Sequence, residues 1–305
     1  MGRRNKGRDV SGWICLDKAA GVTSTQAVAS VKRLFGAAKA GHAGTLDPLA
    51  TGALPIALGE ATKTVPFVQD GRKVYRFTVR WGEETDTDDA EGKVVATAGV
   101  RPTRDAIEAL LPEFIGEIMQ RPPAFSAIKV DGERAYDLAR GGAEVILDER
   151  AISVHRLTLT EMPDADHAVF EAECGKGTYV RALARDIGRK LGCHGHVVEL
   201  RRLVVGPFDD RTMVPLTKLI DAREAGDAES LDAFLSPVGV ALGALPEVAV
   251  NANDAARIGR GQSVLIRGRD APVATDTAHA TYGGVSIAVG EIAEGAFHPK
   301  RVFKG

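Results

Sequence analysis

The segment from Lys73 to Trp81 alternates between two kinds of side chain, and this pattern constrains the fold more than any other. One face carries Tyr75, Phe77, Val79 and Trp81, and the other carries Val74, Arg76, Thr78 and Arg80. A period of two residues is typical of a β-strand with one face on a core. The chain is therefore expected to build a sheet around this strand.

The remaining patterns predict further strands and a few helices. Strands are expected at 12–16, 53–58, 151–160, 168–174 and 196–205. Helices are expected from Thr23 to Gly36, from Thr103 to Phe114 and from Thr178 to Leu191, and the first and the third have an apolar face. We expect an α+β fold with a mainly antiparallel, mixed central sheet flanked by helices.

The end of the chain has a different character from the rest. An Ala- and Asp-rich segment at 221–243 is the best candidate for a linker. From Pro246 onward, short strands alternate with glycine turns. These features predict a large domain at 1–240 and a small β-rich domain at 246–305.

The charges are segregated although the net charge is only −2. Residues 176–202 contain seven basic residues and two acidic ones, whereas residues 83–91 contain six acidic residues and no basic one. The acidic run predicts an exposed loop. On the helix at 178–191, Arg181, Arg185 and Arg189 form a predicted outer stripe. A local basic face of this kind can attract phosphates, although most charge runs are only solvated.

A glycine-punctuated loop, GHAGTLDPLATG at 41–52, presents one carboxylate. Pro48 favours an extended backbone at Asp47, and the glycines permit tight turns around it. This arrangement can hold a carboxylate forward from a rigid loop. An Asp-Pro pair taken alone is more often a simple turn.

Several classes of site are not indicated. The three cysteines are scattered, which suits a reducing cytoplasm, and with His194 and His196 they lack zinc-ligand spacing. Gly175-Lys176-Gly177 lacks the frame of a phosphate loop. No apolar run approaches the length of a membrane span. We expect a cytoplasmic protein without metal, cofactor or membrane attachment.

Ordered motifs along nearly the whole chain resemble the bacterial tRNA pseudouridine synthase B (TruB) family. They are DKAAGVTS at 17–24, GHAGTLDPLATG, KVYRFTVRWGEETDTDDAEG at 73–92, RPPAFSAIKVDGERAYDLAR at 121–140, GKGTYVRALARDIG at 175–188 and HVVELRRLVVGPF at 196–208. The tail, GRGQSV…GEIAEGAFHPKRVF, is similar to a PUA module, a small RNA-binding β-barrel. Ala43 and Ala19 depart from this resemblance, because threonine and proline are usual there.

The resemblance implies a role for individual residues. Asp47 is the expected catalytic aspartate, Tyr75 the tyrosine that stacks on the target uracil and helps to remove its C5 proton, and Arg181 the partner of the aspartate. His42 is expected to hold the T loop with the target base outside, and Tyr179 and Leu200 to line the uracil pocket. Without the resemblance, Tyr75 fits a core position, Arg181 a solvated or phosphate-binding one, and His42 is undecided.

The implied function is isomerisation of the T-loop uridine at position 55 of tRNA to pseudouridine. Arg185, Arg189, Arg201 and Arg202 are expected to contact phosphates. The enzyme is expected to act as a monomer on the T arm, without guide RNA or protein partner, and an added role in tRNA folding is compatible with this. The alternatives are a non-catalytic RNA-binding protein or tRNA-folding chaperone, an RNA-guided synthase subunit, and remotely a glycoside hydrolase, which usually needs two carboxylates.

Overall fold

The computed structural model describes residues 7–126, 128–130, 132–141, 145–226, 228–266 and 274–304. In this part of the chain, no helix is long and apolar enough to cross a membrane. The helices are α1 Ser24–Phe35, α2 Val65–Asp70, α3 Arg104–Leu110, α4 Ala135–Arg140, α5 Val180–Lys190, α6 Leu216–Glu224, α7 Ala228–Asp232 and α8 Ala252–Gly259, with short 3₁₀ turns at Gly59–Lys63, Leu111–Phe114 and Val238–Leu242.

Two sheets contain most of the strands. Those of the first half of the chain are β1 Gly12–Lys18, β2 Ala40–His42, β3 Thr51–Leu58, β4 Lys73–Trp81, β5 Glu83–Thr85, β6 Val94–Thr97, β7 Gly116–Gln120, β8 Lys129–Val130 and β9 Glu133–Arg134. Those of the second half are β10 Arg150–Glu161, β11 His167–Cys174, β12 Gly195–Val205, β13 Met213–Pro215, β14 Glu247–Ala249, β15 Val264–Leu265, β16 Thr275–Tyr282, β17 Val285–Ala293 and β18 Ala296–Val302.

The large sheet has nine strands in the order β13-β1-β3-β12-β4-β11-β10-β7, with β2 paired to β3. The pairs β1–β13 and β3–β12 are parallel, and the others are antiparallel. The predicted α+β class, with a mainly antiparallel mixed sheet, is confirmed.

Strand β4 lies inside this sheet and shows the predicted alternation. Tyr75, Phe77 and Trp81 are buried in the main core, whereas Arg76 and Arg80 on the opposite face are exposed. On neighbouring β11, Phe170 stacks on Phe77, and β12 pairs with β4 on its other side. The face that carries Tyr75 is therefore fixed by strand pairing on both sides.

Helix α1 begins and ends where its capping residues predicted. The Thr23 hydroxyl accepts a hydrogen bond from the Gln26 amide, and the Gln26 side chain accepts one from the Thr23 amide. Gly36 ends the helix with a φ of 60°, a conformation that glycine adopts without steric cost. The helix directs the chain into β2 and then into the loop that carries Asp47.

The second sheet contains β14 to β18 in the order β14-β16-β17-β18-β15. It has a core of its own, which includes Ile258 and Phe297, and the pairings described join none of its strands to the large sheet. The 3₁₀ turn after β3 contacts this second sheet, since Lys63 Nζ donates a hydrogen bond of 2.8 Å to the Val302 carbonyl of β18. The division at residues 240 and 246 and the identity as a PUA module stay predictions.

The predicted linker at 221–243 is wrong. This segment contains the end of α6, all of α7 and a 3₁₀ turn, and Leu231 is fully buried in the main core beside Leu219. The Ser236 carbonyl also accepts a hydrogen bond of 2.8 Å from the Trp13 amide of β1. The composition resembles that of a linker, but a few leucines anchor the segment to the core.

Candidate active site

The loop between β2 and β3 carries Asp47 and is held in place by the segment that follows β1. The Ser24 hydroxyl accepts a hydrogen bond from the Leu46 amide (2.8 Å) and donates one to the Leu46 carbonyl (2.9 Å). The Gly21 amide donates to the Pro48 carbonyl at 2.8 Å. Both residues that flank Asp47 are therefore hydrogen-bonded to the segment between β1 and α1 or to the first residue of α1, which holds the loop backbone on both sides of Asp47.

Lys18 is a buried cation under the same loop, and the sequence reasoning did not single it out. Its ammonium group donates to the carbonyl oxygens of Ala19 (2.9 Å), Val22 (2.7 Å) and Pro48 (3.2 Å). Burial lowers the pKa of Lys18, and the nearby charge of Asp47 acts in the opposite direction. The available signal in the sequence was the position of this lysine in the DKAAG motif, because a charged residue at the end of an apolar strand can be buried with it.

Arg181 pairs with Asp47, as the resemblance implies. Its Nε lies 3.0 Å from Asp47 Oδ2, and its side chain is 5% exposed, whereas that of Asp47 is 35% exposed. The guanidinium also donates to the carbonyl oxygens of Thr87 (2.7 Å) and Phe125 (2.9 Å), and its Nη1 lies 3.2 Å from Asp89 Oδ2. With four acceptors around it, the arginine has a fixed orientation and holds the carboxylate in turn.

The acidic run at 83–91 is not the exposed loop that was predicted. Glu84, Asp88 and Asp89 are buried against α5. Asp89 accepts hydrogen bonds from the Thr87 hydroxyl (2.6 Å) and the Glu91 amide (3.0 Å), which fix it beside Arg181. The run and the basic helix neutralise each other, which explains how both can be strongly charged in a nearly neutral chain.

The predicted outer arginine stripe on α5 is wrong at Arg181 and Arg185, since both are buried. Arg185 donates to Asp88 (2.9 Å), to Asp186 (2.8 Å) and to the Arg121 carbonyl (2.8 Å), so its donors are directed into the protein. Burial raises the pKa of Asp88 to about 6, although Arg185 and Arg181 oppose the shift. The structure therefore does not place Arg185 where it could contact phosphate.

Tyr75 and Tyr179 lie close enough to Asp47 for its charge to act on them, and Leu200 lies on the sheet face of Tyr75. Leu200 of β12 lies opposite Phe77 and one strand from Tyr75, on the same face of the sheet. Burial raises the pKa of Tyr75, with Arg202 opposing and Asp47 reinforcing the effect. Tyr179 ends the segment before α5, and burial raises its pKa, with Arg181 opposing and Asp47 reinforcing. The two tyrosines thus share the electrostatic environment of Asp47.

His42 lies at the end of β2, half-buried, immediately before the Asp47 loop. Burial lowers the pKa of its imidazole, and the positive charge of Arg202 lowers it further. A neutral ring is therefore favoured at pH 7. Such a ring can stack on a base or fill the gap that a base leaves.

The remaining three arginines differ from one another in exposure. Arg189 is 53% exposed, pairs with Glu84 at 2.6 Å, and borders a cavity of about 470 Å³ between α5 and β7 that does not include Asp47. Arg201 is partly exposed and pairs with Asp17 at 3.0 Å. Arg202 is 1% exposed, so the expectation that it contacts phosphate is wrong in this structure.

One ionisable carboxylate, a paired arginine and two tyrosines in one partly buried place can support nucleophilic or proton-transfer chemistry on a ring that fits between them. Among the described residues, no group of three or more His, Cys, Asp or Glu side chains is arranged to hold a metal ion. Of the carboxylates near Asp47, Asp89 is buried and engaged by Arg181, and Glu91 is exposed.

Two protein-family models match the chain. The model described as TruB family pseudouridylate synthase (N terminal domain) matches residues 32–180. The model described as tRNA pseudouridylate synthase B C-terminal domain matches residues 181–243, which include the segment first interpreted as a linker.

Curated relatives match over nearly the full length. A tRNA pseudouridine synthase B of Nitrobacter winogradskyi is 61% identical over 99% of this chain and 84% of its own length. The protein of the same name in Agrobacterium fabrum is 58% identical over 99% of this chain and 97% of its own length.

Solved structures share the fold. The chain aligns with one in a crystal structure of a Cbf5-Nop10-Gar1 complex with a TM-score of 0.74 and 27% identity, over 96% of this chain and 84% of the other. It aligns with one in a structure of an H/ACA RNP bound to a substrate RNA containing 2′-deoxyuridine with a TM-score of 0.75 and 26% identity, over 96% and 85%.

Proposed function

Because the chain belongs to the TruB family of pseudouridylate synthases, we propose that Asp47 is its catalytic carboxylate and Arg181 the residue that holds this carboxylate in place. The protein is an isomerase, a tRNA pseudouridine synthase. Its substrate is the uridine at position 55, in the T loop of tRNA.

The observation that carries the proposal is the Asp47–Arg181 pair. Asp47 is the partly exposed member, and Arg181 is buried behind it with three other acceptors. A partly exposed carboxylate whose partner is buried and held by several acceptors is pre-organised for attack, because little rearrangement is needed when the substrate arrives.

The reaction rearranges one nucleotide without any net gain or loss of atoms. The bond between uracil N1 and C1′ of the ribose breaks, the ring turns, and a bond from C5 to C1′ forms. C5 then loses its proton, and N1 gains one. Asp47 acts either by attack on the sugar or by removal of the C2′ proton, and both routes need the unprotonated carboxylate. Tyr75 is proposed to help remove the C5 proton.

The target base must leave the base stack before Asp47 can reach it. Tyr75 and Tyr179 provide aromatic walls and Leu200 an apolar one, which suits a planar ring. His42, the last residue of β2 before the Asp47 loop, is proposed to occupy the space in the RNA that the flipped base leaves. The partly exposed Arg189 and Arg201 are proposed to contact phosphates, after exchange of their carboxylate partners for RNA.

We also propose that the protein acts alone in the cytoplasm, as a monomer without guide RNA. The relatives named as tRNA pseudouridine synthase B are 53–61% identical to it, whereas the chain in the Cbf5 complex is 27% identical. A guided enzyme would need partners for target selection, and the short hairpin of the T arm can present its own loop base.

The test measures tritium release from C5-labelled uridine in a T-arm hairpin, with purified protein as the only macromolecule besides the RNA. Conversion should occur at position 55 and nowhere else in the hairpin. An anticodon-arm hairpin of equal length is the matched control and should release nothing. A requirement for a guide RNA, or release from the anticodon arm instead, contradicts the proposal.

A further inference from the structure

The guanidinium of Arg202 contacts the Asp47 loop from inside the protein, and we propose that Arg202 is a positioning residue that fixes this loop against the strand carrying Tyr75. The inference rests on the proposed function, because Asp47 and Tyr75 define the reaction that the positioning serves. It replaces the phosphate-contacting role that the sequence suggested.

Three hydrogen bonds connect Arg202 to the loop and to the strand that follows it. Its Nη2 donates to the Gly44 carbonyl (3.1 Å), its Nη1 to the Thr45 carbonyl (3.3 Å) and its Nε to the Ala53 carbonyl (2.8 Å). These acceptors stand on both sides of Asp47 in the chain. Because the guanidinium is planar and rigid, one side chain fixes the two ends of the loop relative to each other.

Arg202 is a buried cation without a carboxylate partner. Its side chain is 1% exposed, and no Asp or Glu of the described ranges lies within ion-pairing distance. Transfer of a charge into a protein interior is costly unless hydrogen bonds compensate it, and an apolar side chain of similar volume is often at least as stabilising. The charge of Arg202 is therefore better explained by its hydrogen bonds to the loop than by a contribution to the stability of the fold.

The other side of Arg202 faces Tyr75. In the register of β12 against β4, Arg202 lies directly opposite Tyr75, and a bulge follows between Arg202 and Val204. Directly opposed residues of neighbouring strands have their Cβ atoms about 5 Å apart, and a bulge redirects the side chains next to it. The positive charge of Arg202 opposes the rise that burial causes in the pKa of Tyr75.

The experiment compares Arg202→Met and Arg202→Lys with Arg76→Met in single-turnover assays at saturating enzyme. Arg76 is the matched control, since it lies next to Tyr75 on β4 but on the exposed face, paired with Glu161. We expect Arg202→Met to lower the rate constant about 100-fold, because displacement of a catalytic group by about 1 Å has an effect of this size. The affinity for tRNA should change less than about threefold, and Arg76→Met should match the wild type in both.

The second measurement is hydrogen exchange of the peptide that covers residues 43–53. It should exchange faster in Arg202→Met, whereas the peptide covering β10 should not, and Arg76→Met should leave both unchanged. Arg202→Lys has three N–H donors for the same carbonyls, so it should recover part of the rate and of the protection. If Arg202→Met does not fold, the lysine variant decides.

A folded Arg202 variant with the wild-type rate constant and wild-type exchange in residues 43–53 overturns the inference. Slower catalysis with uniformly faster exchange in every peptide also overturns it, since that result indicates a general loss of stability. Failure of the proposed function is distinguishable, because it shows as a wild-type protein that does not convert the T-arm hairpin, whereas the exchange measurement needs no activity.

Discussion

Replacing either member of the Asp47–Arg181 pair should abolish turnover, but the two replacements should differ greatly in their effect on stability. Asp47→Asn keeps the size of the side chain and an oxygen that can accept from Arg181, so it removes only charge. A neutral amide can neither attack the sugar nor take a proton. Turnover of the T-arm hairpin should therefore fall to background while the protein still binds it.

The difference in stability follows from what each change leaves behind. Asp47 is 35% exposed, and its replacement leaves Arg181 with Asp89 and two carbonyls. A partly exposed ion pair contributes about 0.5–1 kcal/mol. Arg181→Met instead leaves the buried Asp89 without its cation and two carbonyls without a donor, which costs about 3–5 kcal/mol. A loss of 1 kcal/mol lowers Tm by about 2–4 °C. Tm should therefore fall by less than about 4 °C in Asp47→Asn and by about 6 °C or more in Arg181→Met.

The measurements are thermal melting monitored by circular dichroism and multiple-turnover assays on the same preparations. Asp166→Asn is the control, because this exposed carboxylate pairs with Arg101 far from the loop, and it should alter neither quantity. Measurable multiple turnover by Asp47→Asn would contradict the mechanism in which Asp47 is the catalytic carboxylate. Equal loss of Tm in Asp47→Asn and Arg181→Met would show that the buried side of the network is not organised as described.

Four further outcomes follow from particular residues. Tyr75→Phe keeps the ring and should bind the hairpin with near wild-type affinity, while tritium release from C5 falls severely. The pKa of Asp88, about 6 in the fold against 3.8 in its absence, means that the fold retains a proton which the unfolded chain loses, so the contribution of Asp88 to stability declines as the pH rises from about 4 to 6. Asp88→Asn should remove this decline of up to about 3 kcal/mol, measured as Tm against pH. Gly52→Ala places a Cβ 2.2 Å from a backbone oxygen of β12 at a φ of 94°, and it should lower Tm far more than Gly21→Ala, which has a φ of 77° and open space around it. Arg189→Gln should weaken tRNA binding and reduce the slope of log K against log salt concentration by about one, with an unchanged single-turnover rate constant; an unchanged slope would remove Arg189 from the interface.

Local patterns were sufficient for the long strands of the large sheet and for α1, α3 and α5, whereas shorter elements such as β5, β6 and α7 were not predicted. The alternation at Lys73–Trp81 records which face of β4 is buried, since successive side chains of a strand point to opposite sides. The caps at Thr23 and Gly36 marked the ends of α1, because both satisfy backbone groups within a few residues. The loop at 41–52 drew attention to Asp47 through its glycines and proline, and the resemblance to a family supplied the roles that these residues alone left open.

The sequence by itself determined the long strands, the helices α1, α3 and α5 and the candidate carboxylate, and the tertiary structure decided which charges meet. Helical periodicity placed Arg181 and Arg185 on a polar stripe, yet the acidic run packs over that stripe and buries both. The partner carboxylate of Arg185 is 97 residues away in the chain. Arg202 likewise meets a loop that is about 150 residues distant, through the parallel pairing of β12 with β3. Periodicity indicates on which face of its helix or strand a side chain lies. Which other element covers that face depends on the order of the strands in the sheet, and this order exists only in the folded chain.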